Sequence, residues 1–155
     1  MAGTGILKAK YDSDFQAIID ALSRASMPDL EEIANFAGGE LAYISQKAFE
    51  NEEDPVTGKR WEPLKRPRPD GSRDSILHPS GNHGHLKPSL NWQAFPDGSV
   101  VFGSNVVYAR IHQKGGQAGR GRKALIPARP YMGVPSDFDR RILNDPAVLE
   151  LLGIK

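Results

Sequence analysis

Hydrophobic positions in the first third of the chain recur with the period of a helix. In D-S-D-F-Q-A-I-I-D-A-L-S-R-A, Phe15, Ile18, Ile19 and Leu22 fall at i, i+3, i+4 and i+7, which is one stripe of an α-helix. Asp12 or Ser13 suits its cap, and Asp14 sits near the positive end of the helix dipole. Met27-Pro28-Asp29 interrupts the pattern, and Pro28 suits the opening of a second helix. That second helix is predicted from about Asp29 to about Asn51. Its main stripe is Leu30, Ile33, Ala37, Leu41, Ile44 and Ala48, widened by Phe36, Tyr43 and Phe49. Gly38-Gly39 lies in the middle and costs about 1 kcal/mol per glycine relative to alanine. Such a pair implies either a kink or a neighbour packed close to the helix backbone.

Residues 52–85 follow neither period. Five prolines and four glycines among 34 residues predict an extended arm or loop, and loops of that length are functional or disordered. Trp61 and Leu64 are expected to anchor its start, while K-R-P-R-P-D-G-S-R-D-S is expected to be exposed and to gain order beside a partner. Period-two alternation then begins. Leu90, Trp92 and Ala94 alternate with Asn91 and Gln93, giving a strand within Leu86 to Phe95. Pro96-Asp97-Gly98 is turn chemistry, and S-V-V-F-G (Ser99 to Gly103) returns as the second arm of a hairpin. Val106 to Gln113 is ambiguous in period, and a short helix is favoured. Gly115 to Gly121 reads as a glycine-rich turn or flexible loop. Lys123 to Ile126 reads as a strand halted by Pro127, and Ala128 to Val134 as extended chain between prolines. Ser136 is the expected cap of a short helix holding Phe138, Ile142 and Leu143. Asp145-Pro146 opens a last helical turn with Val148, Leu149, Leu151 and Leu152.

These elements predict an α+β fold in one domain, residues 1–155. An N-terminal helical pair (about 12–51) packs on a small, mostly antiparallel β-sheet (within about 86–134). A long extended arm (about 52–85) lies between them, and short helices (about 136–152) close the chain.

Composition narrows the chemistry. The 155 residues suit one domain with its own core. The absence of cysteine excludes disulfides, thiolate zinc sites, iron–sulfur clusters and cysteine nucleophiles. The apolar runs are too short to span a bilayer, and M-A-G-T-G-I-L-K lacks the apolar stretch of a signal peptide. A soluble, cytoplasmic protein is expected. The net charge is only +1, yet it conceals a polarity along the chain. Residues 1–54 carry a net −7, residues 55–97 a net +3, residues 98–136 six basic and no acidic side chains, and residues 137–155 a net −1. Kept apart in the fold, these segments would give an acidic and a basic face; folded together, they would cancel.

Three chemical candidates arise. H-P-S-G-N-H-G-H brings His78, His83 and His85 close to Asn82, which invites a zinc or nickel site or a metal-dependent nuclease. No carboxylate or cysteine stands at ligand spacing, and short histidine tracts are compositional signals only. K-G-G-Q-A-G-R-G-R-K suggests phosphate binding, but Gly116 to Gly121 is followed by Arg122-Lys123-Ala124, not by the G-K-[ST] of a P-loop. Arg120, Arg122 and Lys123 are better placed on a basic loop that meets nucleic-acid backbone or an acidic partner, or is simply solvated. No G-x-S-x-G occurs, and His112 beside Ile111 reads as a hydrogen-bonded structural histidine.

Three runs are more specific together than any of these. D-P-V-T-G-K-R-W-E-P-L (Asp54 to Leu64) follows a helix ending in A-F-E-N. G-S-N-V-V-Y-A-R-I-H-Q-K-G-G (Gly103 to Gly116) comes next, and I-P-A-R-P-Y-M-G (Ile126 to Gly133) last. In this order and spacing, from about Leu30 to Ile142, the chain resembles the phage virion morphogenesis family, the tail completion proteins of temperate myophages. Between Leu64 and Leu86 it departs from the family pattern: a lysine-rich stretch and a leucine–threonine–glycine–leucine run are replaced, and only Ile76, Leu77, Gly81 and Leu86 look equivalent.

The resemblance implies a structural virion protein at the head–tail junction, with no enzymatic activity and no cofactor. It implies a tail completion or tail terminator subunit in a homo-oligomeric ring, commonly a hexamer. Its neighbours would be neck and tail proteins, with DNA passing through the lumen. It would reside in the virion, and in the host cytoplasm during assembly. A head-side adaptor or stopper is the near alternative, and a nucleic-acid-binding module using residues 98–136 the more distant one. Within the matched runs, Trp61 and Leu64 are expected to pin the arm to the helix. Tyr108, Ile111 and His112 are expected to pack on the sheet. Pro127 and Pro130 are expected to stiffen the chain around Arg129, which would form an ion pair within the fold or across an interface.

Overall fold

The computed structural model of the protein describes residues 30–65, 76–77 and 86–152. The first predicted helix, much of the arm, and His78, His83 and His85 lie outside these residues. What is described is a mixed α+β fold built around one long helix, α1 (Leu30–Asn51). Glu31 and Glu32 stand in its first turn, where carboxylates meet the positive end of the dipole.

Ile33, Ala37, Leu41, Ile44 and Ala48 are buried along α1, joined by Ala34, Ala42, Ser45 and Phe49. Phe36 and Tyr43, expected to widen this apolar surface, instead remain 37% and 50% exposed. At 100° per residue they fall on the face opposite the one centred on Leu41 and Ala48. The helix also runs unbroken through Gly38-Gly39. The indole of Trp92 lies where a β-carbon on Gly38 would be, so of the two readings of this pair, close packing is the one realised.

Trp92 belongs to β1 (Leu90–Ala94), which pairs antiparallel with β2 (Val100–Ser104) in a register running from Leu90 opposite Ser104 to Ala94 opposite Val100. This hairpin packs across α1. Asp97 makes its turn: its Oδ1 accepts from the Ser99 N–H at 2.9 Å and the Ser99 hydroxyl at 2.6 Å, and Gly98 takes φ 81°. The strand starts later than Leu86, because Lys87–Ser89 form a 3₁₀ turn with Pro88 in it.

A short helix, α2 (Ala109–Lys114), follows. It ends at Gly115, whose φ of 70° and closeness to the Ala128 backbone leave no room for a side chain. The glycine-rich run, expected to be a turn or flexible loop, contains a strand. β3 (Gly116–Ala118) pairs antiparallel with β4 (Ala124–Ile126), and Arg120–Arg122 form a 3₁₀ turn between them. Two helices close the chain: α3 (Phe138–Leu143) and α4 (Pro146–Leu151). The N-cap of α3 is Asp137 rather than Ser136, and its carboxylate accepts from Arg141 Nε at 3.0 Å instead of from the backbone. Asp145 caps α4 by accepting from the Ala147 N–H at 2.9 Å, with Pro146 in the first turn. Phe138, Ile142, Val148 and Leu152 join the buried cluster around α1. Among the described residues no helix is long and apolar enough to cross a membrane.

Candidate functional site

The first part of the predicted arm, where the chain leaves α1, folds on itself instead of extending. Asp54 organises this loop: Oδ1 accepts from the Val56 N–H at 2.8 Å, and Oδ2 from the Thr57 hydroxyl at 2.8 Å. The Gly58 N–H donates to the Asp54 carbonyl, and the Asp54 N–H to that of Lys59. Aspartate followed by proline and glycine favours such a turn because its short carboxylate reaches its own backbone. The loop closes where the Trp61 N–H donates to the Glu52 carbonyl at 2.7 Å. Trp61 is thereby returned to the end of α1.

There it enters an aromatic cluster. Its ring meets Phe49 edge-on, with centroids 5.8 Å apart, and Phe49 meets Tyr131 at 5.1 Å. Trp61 Nε1 donates to the Pro130 carbonyl at 2.7 Å. One residue earlier, Arg129 is only 6% exposed. Its Nε and one terminal nitrogen donate to the Glu62 carbonyl at 3.0 and 2.9 Å. The expected ion pair in the fold is thus replaced by a fork onto a backbone carbonyl. Burial lowers the pKa of the guanidinium, while the Glu62 and Glu52 carboxylates support its charge.

The helix α2 supplies the remaining clamp. Gln113 Oε1 accepts from the N–H groups of Tyr131 (3.0 Å) and Met132 (3.1 Å), and its Nε2 donates to the Met132 carbonyl at 2.7 Å. The Tyr131 hydroxyl donates to the Ala109 carbonyl at 3.1 Å, and burial pushes its pKa up. The Arg129 N–H donates to the His112 carbonyl at 2.8 Å. His112 lies edge-on to Tyr108, with ring centroids 5.8 Å apart. Among the described residues its buried Nδ1 has no hydrogen-bond partner. Burial, and then the Arg129 charge, lower its pKa.

The three sequence runs therefore meet in one place. Trp61, His112, Arg129 and Pro130 are brought together, with Phe49, Gln113 and Tyr131 completing the cluster. Gln113 was not singled out by sequence; its position beside His112 in the second run was the available signal. Leu64 is 39% exposed, so anchoring of the arm falls to Trp61. Tyr108 is likewise partly exposed, and Ile111 is half-buried over Gly116. Pro127 follows directly on β4. Arg120, Arg122 and Lys123 are exposed at the far end of the β3–β4 hairpin, away from the cluster. Among the described residues no group of three histidine, cysteine or acidic side chains could hold a metal. The chemistry of this arrangement is that of a clamp: backbone carbonyls and amides from distant segments are tied by buried side chains.

The sequence profile of the phage virion morphogenesis family matches residues 11–148. The chain belongs to this family. Protein G of Escherichia phage Mu, named for capsid assembly, is 35% identical over 108 residues, covering 67% of this chain and 69% of that protein. The Mu-like prophage FluMu G protein 2 of Haemophilus influenzae is 45% identical over 51 residues, covering 33% of this chain and 37% of its own length. No solved structure matches the chain. For a virion morphogenesis protein, a clamp built from buried side chains and backbone groups is a structural device.

Proposed function

We propose that this protein is a tail completion or tail terminator subunit. In this reading it forms a ring at the head–tail junction and allows head and tail to join, acting by shape and contact rather than by catalysis. The observation that carries the reading is the family match along nearly the whole chain. The geometry supports it: the runs that carry the resemblance converge on one clamp, while a basic hairpin stands apart with exposed side chains. A subunit with unlike surfaces suits head-to-tail contacts that close into a ring.

Labelling the protein in purified virions tests the position. Density or gold label is expected at the neck, between head and tail tube. Label distributed over the capsid shell, or absent from virions, would overturn the reading. The name of the phage Mu relative, which speaks of capsid assembly, favours a second position on the head side of the neck. Label on isolated filled heads but not on isolated tails would select that position.

A further inference from the structure

A hairpin of three residue pairs is marginal in water unless something covers it. Among the described elements the β3–β4 hairpin packs mainly on itself, and Leu125 on its second strand is 67% exposed. Arg120, Arg122 and Lys123 surround its tip with exposed cationic groups, in a stretch with no acidic residue from 98 to 136. The hairpin thus presents one apolar side chain flanked by positive charge. This is a combination for a protein surface; a purely phosphate-binding loop gains nothing from an exposed leucine.

A surface of matching chemistry exists on the same chain. On the outer face of α1, a groove of about 810 Å³ runs between that helix and the start of α4. Phe36 and Ile142 give it apolar walls, and Glu32, Glu40 and Asp145 line it with carboxylates. Among the described residues lining it, Arg141 is the one cation, and that charge is already engaged by Glu40 at 3.3 Å and Asp137 at 3.0 Å. The groove is an apolar slot with an acidic rim, complementary in sign and character to the hairpin.

We infer that the β3–β4 hairpin of one subunit docks into the α1–α4 groove of a second copy of this chain. Leu125 meets Phe36, and Arg120, Arg122 and Lys123 face Glu32 and the neighbouring carboxylates. Because hairpin and groove are different patches, the contact is heterologous and propagates from copy to copy. This rests on the ring reading above and names the surfaces that would make the ring.

The cysteine-free sequence gives a direct test. Full-length Arg120→Cys and Asn35→Cys variants are mixed under mild oxidation, and the products are weighed by mass spectrometry. A disulfide-linked dimer containing one of each variant is expected, and it should be lost when Leu125→Asp or Glu32→Lys is added. The double variant should give a ladder of covalent multimers. Native multimers without the mixed cross-link would overturn this interface and leave the ring reading standing. Failure of any multimer to form, with the protein still labelled at the neck of virions, would overturn this interface alone; absence of label from the neck would remove both. Salt-sensitive binding of duplex DNA that is lost in Arg122→Ala, without cross-linking, would assign the hairpin to nucleic acid instead. An intrachain disulfide between Ile19→Cys and Asn35→Cys would give the groove to the chain's own N-terminal stripe, and would equally overturn the proposal.

Discussion

The indole of Trp92 occupies the position that a β-carbon on Gly38 would take. Next to it, Gly39 has no atom of the described residues within 4 Å of such a position. Two adjacent glycines in one helix therefore carry opposite constraints. Gly38→Ala gains about 1 kcal/mol of helix propensity but forces Trp92 off the helix, an overpacking cost of about 1–3 kcal/mol. Gly39→Ala gains the propensity without the clash. Thermal unfolding should show a lowered midpoint for Gly38→Ala and a raised one for Gly39→Ala. A rise in both would mean that the Trp92 contact is not tight.

The Trp61 indole both fills the aromatic cluster and satisfies the Pro130 carbonyl. Trp61→Ala is expected to cost about 3–5 kcal/mol. Trp61→Phe keeps an aromatic ring in the cluster but leaves that carbonyl without its donor, a cost of about 1–3 kcal/mol. Urea denaturation of the two variants should separate in that order. Equal losses would mean that ring packing contributes nothing beyond the lost hydrogen bond, and a Trp61→Phe variant as stable as the parent would mean that the hydrogen bond contributes nothing.

Gln113 ties three backbone groups of Tyr131 and Met132 to α2. Gln113→Ala should destabilise by about 2 kcal/mol or more, since several part-buried groups lose their partner at once. Gln113→Glu keeps the acceptor and loses the donor, so it should retain part of the clamp. Amide hydrogen exchange at Tyr131 and Met132 reads this directly: protection should fall most in Gln113→Ala.

Folding lowers the pKa of His112 through burial and the Arg129 charge. A histidine with a depressed folded value binds its proton more readily when unfolded. Its contribution to stability is complete above the ordinary value of 6.5 and is lost as pH falls from there toward the folded value. Stability measured between pH 7.5 and 5 should decline less steeply in His112→Asn than in the parent. Identical slopes would remove His112 as a source of acid sensitivity.

Much of this fold was legible in the sequence. The stripe from Ile33 to Ala48 gave α1 because one buried face imposes a 3.6-residue period. Pro96-Asp97-Gly98 gave the β1–β2 hairpin because turn chemistry is local. What was not legible depends on distant partners. Phe36 and Tyr43 are apolar and helical, but only the packing of β1–β2 decides which face is covered. The strand Gly116–Ala118 was hidden because glycine has little strand propensity; its order comes from pairing with Ala124–Ile126. Gln113 is an ordinary surface residue type, and its role exists only once the chain 18 residues later folds back against it. Arg129 was noticed, but its partner is a carbonyl, which no charge pattern could reveal.

The role proposed for the protein is completion of a virion. Electron microscopy of particles assembled without it tests this most directly. Filled heads and separate tails that fail to join are expected, with joining restored when the protein is supplied. Normal, joined and infectious virions in its absence would contradict the account.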